Sequence, residues 1–194
     1  MSGSPSPPTA ITKDASRYEH DGVNTDLTYV RLPSGLFVGL FGHTVVIVCG
    51  SVLTAGDWTF SAWAKSIIQD LTVHHISSFS GANGVYFGGL TAPYENQWGF
   101  CDGAYRVADS TVISGVWYHL CVTKTGTTYA FYLNGAYDGG GVYNAIYPSS
   151  LRIGDRNGIY YFNGHMSLQK LYNYALALDQ INKQFEAERR FFGV

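Results

Sequence analysis

The run from Trp117 to Gly135, WYHLCVTKTGTTYAFYLNG, sets two stretches of alternating side-chain character on either side of Gly126 and ends at Asn134-Gly135. Alternation with period two marks a strand, and a glycine between two such runs marks a reversal that needs positive φ. The same grammar recurs from Tyr29 onward. TYVRL, LFVGLF, HTVVIVCGSVL and WTFSAWAK each read as strand, and Gly81-Ala82-Asn83-Gly84 separates HHISSFS from VYFGGL. These runs predict antiparallel β-structure packed as two sheets. The 23 glycines, 6 prolines and 15% aromatic residues suit many short strands joined by tight turns. A chain of 194 residues makes one such domain with a sizeable core more readily than two small ones.

Two segments break the pattern. Residues 1–16, rich in Ser, Pro and Thr, carry no apolar period and read as an N-terminal arm, leaving residues 17–194 as the domain. At the other end, ALALDQINKQFEAERRFFG places Ile181 and Phe185 four apart, with Asp179 and Gln180 near the start, Arg189 and Arg190 near the end, and Gly193 beyond. That is the signature of one short helix. Leu36–Leu53 approaches the length of a membrane span, but His43, Thr44, Ser51 and several glycines interrupt it, so it reads as two buried strands and no membrane partner is expected.

Charge and cysteine content exclude further classes. Twelve Lys and Arg against fourteen Asp and Glu leave a formal charge of -2, which provides no cationic field for nucleic acid. Cys49, Cys101 and Cys121 are odd in number and form no C-x-x-C pair, so they read as free buried thiols made in a reducing compartment. The opening MSGSPSPPTAITKD lacks the basic and apolar regions of a secretory signal.

Three segments in order, GDWTFSAWAK at 56–65, VWYHLCVTKTGTTYAFYLNGAYDGG at 116–140 and SLRIGDRNGIYYFNGHMSLQKLYNYALALDQI at 150–181, resemble the concanavalin A-like, laminin G-like jelly-roll family. The resemblance covers roughly residues 55 to 188. It implies an all-β, two-sheet antiparallel sandwich with the hairpin at 117–135 as framework. His119 falls where family members hold a histidine within a strand, and no nucleophile with an orienting acid lies nearby in sequence, so it is expected in the core rather than as a catalyst.

Some jelly rolls of this class hydrolyse glycans, which requires two carboxylates about 5–9 Å apart on one face. The acids Asp57, Asp70, Glu95, Asp102, Asp109, Asp138 and Asp155 are isolated, and Glu186 and Glu188 fall on the expected helix, where a solvated face is the simpler reading. No catalytic residue, and no enzyme, is expected. Many relatives carry an Asp-Glu pair after F-N-G-x-hydrophobic, whereas this chain has Ser167 and Leu168, so no cofactor or essential metal is expected. Asp155, Asn157, Asp138 and Asn134 could line a calcium site, but turn capping accounts for them more simply.

A ligand or partner surface has better support. Tyr94, Asn96, Trp98, Asp102, Tyr105, Arg156, Asn157, Tyr160 and Tyr161 combine aromatic faces with amide, acid and guanidinium groups. Sugar sites and protein interfaces both use this mixture.

The ending QINKQFEAERRFFGV resembles the close of laminin G-like domains in tailed-phage virion proteins. The resemblance implies a virion structural protein made in the host cytoplasm. The preferred role is a capsid decoration or cement protein at the capsid surface, with Ser4, Pro5, Pro7 and Pro8 in an arm that binds the major capsid protein or another virion protein. A homo-oligomer is expected, a trimer by family analogy. The alternative is a carbohydrate-binding module in a tail fibre or at a cell surface, with a glycan as ligand.

Overall fold

The computed structural model describes residues 11–15, 20–53, 55–67, 72–81, 83–88 and 96–194. The arm positions Ser4, Pro5, Pro7 and Pro8 and the candidate Tyr94 lie outside the described residues. The strands are β1 (Ile11–Thr12), β2 (Gly22–Thr25), β3 (Thr28–Arg31), β4 (Phe37–Phe41), β5 (Val46–Gly50), β6 (Trp58–Ser66), β7 (His74–His75) and β8 (Ser77–Phe79). They continue as β9 (Gly84–Phe87), β10 (Gln97–Cys101), β11 (Tyr105–Thr111), β12 (Tyr118–Thr125), β13 (Thr128–Leu133), β14 (Ala136–Val142), β15 (Leu151–Ile153) and β16 (Gly164–Tyr172). One helix, α1 (Leu178–Glu188), and a 3-10 turn at Arg189–Phe191 follow.

The strands form an antiparallel jelly-roll sandwich. One layer has the order β14-β13-β12-β6-β16-β4-β3. The other comprises β1-β2-β5-β15-β8 and β11-β10-β9-β7, joined where the Ile76 amide donates to the Val85 carbonyl at 2.9 Å. Leu36–Leu53 yields two strands, as expected, and they belong to different layers: β4 pairs with β16, while β5 pairs with β15. Among the described residues no helix is long and apolar enough to cross a membrane.

β6 shows why the sequence reads as framework. Its alternate residues Trp58, Phe60, Ala62 and Ala64 enter the core between the layers, where Phe79, Phe100 and Ile153 meet them. Its other face, with Thr59, Ser61 and Trp63, is equally buried because the C-terminal segment covers it. Thr59 Oγ1 donates to the Tyr174 carbonyl and accepts from the Leu176 amide, which leads the chain into α1. Gln180 Oε1 then accepts the Ala177 amide, satisfying one of the N–H groups that a helix start leaves open.

The hairpin of β12 and β13 divides in the same way. Leu120 and Val122 face the core between layers, whereas Cys121 packs with Ile181 under α1. His119 is wholly buried beneath the helix, with Nε2 3.3 Å from the Gln184 amide nitrogen. Burial, reinforced by the Lys170 charge, lowers its pKa to about 3. It is a core histidine.

Two sequence expectations need correction. Glu188 is not on a solvated face: its carboxylate is nearly buried, accepts the Trp63 indole N–H at 2.7 Å and pairs with the Lys170 ammonium. Charged partners and an indole donor at the helix end make burial tolerable there. The stretch assigned to the arm also enters the domain before residue 17, because β1 pairs antiparallel with β2. Asn24 Nδ2 donates to Thr12 Oγ1 at 3.1 Å, and Lys13 pairs with Asp21.

Candidate functional site

β9, β10 and β11 turn Val85, Phe87, Trp98 and Phe100 toward the core. Alternation therefore sends Tyr86, Gly99, Cys101 and Tyr105 to the opposite face. His75 of β7 sits directly across from Tyr86, and Tyr86 directly across from Gly99. Gly99 is required there: a Cβ would come within 1.9 Å of the Arg106 carbonyl oxygen and 3.1 Å of Tyr86 Oη. The absent side chain lets Tyr86 lie close to the strand and donate to that carbonyl at 3.0 Å.

His75 and Tyr86, both fully buried, form the floor of a small aromatic stack. The Tyr105 ring meets Tyr86 edge-on at 4.9 Å, and the His75 ring lies 6.1 Å from Tyr105 and 6.3 Å from Tyr160. Among the described residues neither His75 ring nitrogen makes a hydrogen bond of good geometry, the Ser77 backbone being the polar group that favours its protonated form. Burial first, and the Arg156 charge second, lower its pKa to about 3, so a neutral imidazole lies under the site at neutral pH.

The rest of the site comes from the loop between β15 and β16. Arg156 and Ile159 exchange both backbone hydrogen bonds, at 2.8 and 3.0 Å, around Asn157-Gly158, whose φ values are +50° and +85°. Asn-Gly with two positive φ angles is the pair that such a tight reversal selects. Asp155, fully buried, holds the turn: it accepts Arg152 Nε and Nη2 at 2.8 and 2.5 Å and the Gly158 amide at 2.6 Å. The His75 amide donates to the Tyr160 carbonyl at 2.9 Å, tying the loop to β7.

This anchoring leaves Arg156 between two rings. Its Nη1 donates to Tyr105 Oη at 2.8 Å, and its guanidinium carbon lies 5.9 Å from the centre of Tyr105 and 5.3 Å from that of Tyr160. Tyr160 is 41% exposed and has φ +53°, a conformation that costs a bulky residue about 1 kcal/mol or more. Tyr161 stands beside the exposed His43 ring at 5.0 Å, while its carbonyl lies 2.7 Å from His74 Nδ1. Burial raises the pKa of Tyr105, opposed by Arg156.

Of the residues singled out in sequence, Tyr105, Arg156, Asn157, Tyr160 and Tyr161 come together here. Three others do not offer themselves to a ligand in this way. Trp98 is a core residue with no exposed face, and its indole donates to Asp138 Oδ2 at 2.8 Å. Asp102 is buried in a fork with Arg106, at 2.9 and 3.2 Å, and also accepts the Asn144 amide. Asn96 precedes β10 and so lies at the far end of that strand from Tyr105, its carbonyl accepting the Val112 amide. His75, Tyr86 and His43 were missed, because a lone histidine or tyrosine in an apolar run carries no signal of what faces it.

Other candidate sites are chemically poorer. Among the described residues no three His, Cys, Asp or Glu side chains are grouped as metal ligands. Asp138 and Asn134 are engaged in turn and strand bonds, with the Ser110 and His119 amides respectively. A cleft of about 830 Å³ opens beside β5, β15 and β16, with Ile47, Phe60, Leu151, Ile153 and Leu171 among its walls. Polar groups line it too, Asp14, His20, Gln169 and Asn173 among them, while its two lysines, Lys13 and Lys170, are paired with Asp21 and Glu188.

The family model described as the concanavalin A-like lectin/glucanases superfamily, of laminin G type, matches residues 39–182. The chain belongs to that family. No curated protein matches the chain in sequence. Among solved structures it is similar to domain 4 of AbnA, a GH43 extracellular arabinanase of Geobacillus stearothermophilus, in complex with arabinotriose. That likeness has a TM-score of 0.65 at 14% identity and covers 82% of this chain and 81% of the other. A putative carbohydrate binding protein of Bacteroides ovatus gives a TM-score of 0.63 at 18% identity, covering 75% of this chain and 46% of its own. Trypanosoma rangeli sialidase in complex with sialic acid gives 0.70 at 16% identity over 96% of this chain, which spans 32% of the sialidase. At such identities the likeness is one of fold.

Proposed function

We propose that this protein is a non-enzymatic glycan-binding module whose ligand lies on the face built from Tyr105, Arg156, Asn157, Tyr160 and Tyr161. The observation that carries the reading is the Arg156 fork held between two tyrosine rings, with Tyr160 partly open to solvent. Sugar rings stack their C–H faces on aromatic rings, and their hydroxyls take hydrogen bonds from fixed amide and guanidinium groups. A rigid platform keeps the ordering cost of binding low.

The fold likeness supports this use. One similar structure holds arabinotriose, and another is a putative carbohydrate binding protein. Asp102, Asp138 and Asp155 are each committed to internal partners, which suits binding without hydrolysis. The capsid-clamping role draws instead on the arm and on the C-terminal sequence, and the tyrosine face adds nothing to it.

Sedimentation distinguishes the two. The protein is mixed with insoluble plant and bacterial polysaccharides and, separately, with phage heads lacking decoration. Pelleting with polysaccharide, lost in Tyr160→Asn, is the expected result. Pelleting with heads alone would overturn the glycan reading in favour of capsid decoration.

A further inference from the structure

Arg106, Arg152 and Arg156 differ in one respect. Arg106 forks onto Asp102 and Arg152 forks onto Asp155, in each case through two nitrogens. The acids are thereby consumed. Arg156 makes no ion pair among the described residues, and the one hydrogen bond its guanidinium makes with them is to a neutral phenol. A guanidinium has five N–H donors in a fixed plane, so most of that capacity is unfilled.

Its surroundings sharpen the contrast. Arg156 is half-buried and flanked by the Tyr105 and Tyr160 rings, which restrict the fork to a narrow set of orientations. The other ionisable groups close to the stack are histidines, tyrosines and one thiol: His75 beneath, His74 on β7, Tyr86, Tyr105 and Tyr160 around it, and Cys101, whose pKa burial raises. No carboxylate among the described residues offsets the Arg156 charge. A pre-oriented, uncompensated guanidinium beside an exposed ring matches a planar oxyanion that accepts two parallel N–H bonds.

Resting on the glycan reading above, we infer that the ligand is an acidic glycan, with a sugar carboxylate seated on Arg156 and neighbouring sugar against Tyr160. A carboxylate matches the planar fork, and its binding compensates an arginine charge that no ion pair among the described residues meets. A neutral sugar would meet the same tyrosine but satisfy Arg156 only through hydroxyls, which make weaker bonds than an ionised acceptor.

The test uses the full chain and three soluble probes of equal length: an oligogalacturonate, its fully methyl-esterified form and a sulfated neutral oligosaccharide. Calorimetric titration at low salt is expected to give an affinity at least about tenfold higher for the acid than for the ester. Arg156→Gln should bring acid and ester level, and Arg156→Lys should retain part of the preference, since a point charge replaces the fork. Raising the salt should weaken the acid and leave the ester nearly unchanged. Circular dichroism and the unfolding temperature check that both variants fold.

Equal binding of acid and ester by the unaltered protein would overturn the acidic-glycan inference while leaving glycan binding intact. Preference for the sulfated probe over the carboxylate would overturn the choice of carboxylate. Binding of none of these, with pelleting on no polysaccharide, would remove the glycan reading and this inference together.

Discussion

Trp63 and Glu188 are 125 residues apart in sequence, yet the Trp63 indole donates to the Glu188 carboxylate at 2.7 Å in a buried setting. Lys170 of β16 pairs with the second carboxylate oxygen. The contact fastens the end of α1 to the outer face of the seven-stranded layer, where Phe185 and Phe192 stack on Trp63 at 5.8 and 4.1 Å.

Removing that carboxylate strands two groups at once. Glu188→Ala should destabilise the fold by about 3 kcal/mol, because a buried partner is lost and an indole N–H is left unpaired. Glu188→Gln, which keeps an acceptor for the indole, should cost less. Urea unfolding followed by tryptophan fluorescence reads both, and an unchanged midpoint in Glu188→Ala would show that the contact contributes no stability.

Asp155 carries both stability and the shape of the site. Asp155→Ala should cost about 3 kcal/mol, since it leaves Arg152 without its acid and the Gly158 amide without its acceptor. It should also release the Asn157-Gly158 turn, with faster amide exchange at Gly158 and weaker glycan binding. Protection at Gly158 equal to that of the unaltered protein would mean that the turn holds itself.

Acid should weaken the fold through two histidines. His75 and His119 have pKa values of about 3 when folded, below the ordinary value of 6.5, so the unfolded chain binds more protons between these limits. Their neutral-form stability is complete above about pH 6.5 and is lost as pH falls toward 3. Each contributes a slope approaching 1.4 kcal/mol per pH unit in that window. Chemical unfolding at pH 7, 6 and 5 should show falling stability, and His75→Phe should remove about half of the slope these two contribute, with His165, also lowered by burial, adding in the same direction. A flat profile would count against burial of either ring in the neutral form.

Tyr160 and Trp98 separate binding from packing. Tyr160→Asn places a residue tolerant of positive φ at an exposed position, so stability should change by less than about 1 kcal/mol while glycan affinity drops by about tenfold or more. Trp98→Phe should do the reverse: it loses the bond to Asp138 and core volume, costing about 1–3 kcal/mol, with affinity unchanged. Unfolding and titration on the same two samples would expose the opposite assignment.

Much of the fold was legible because period-two alternation reports burial on a sheet directly. The hairpin at 117–135, the two strands within Leu36–Leu53 and the helix over 178–188 all follow from spacing. The site was only half legible. Tyr105, Arg156, Asn157, Tyr160 and Tyr161 announce themselves as polar aromatic clusters at turns, but the same composition describes Trp98, which is core, and Asp102, which is spent on Arg106. In β6 both alternating sets are buried, so alternation could not say that the Trp63 side lies under a helix.

The sequence by itself determined local geometry: strand alternation, the glycine of the Asn157-Gly158 turn and the apolar spacing of α1 depend on neighbours within a few residues. Tertiary structure decided which arginine meets a ring in place of an acid. Asp102 and Asp155 reach Arg106 and Arg152 across a few residues, while Arg156 meets Tyr105, 51 residues away, instead of an acid. Pairing depends on distance in space, and a half-buried fork between two rings acquires its chemistry only when separate strands bring those rings to it.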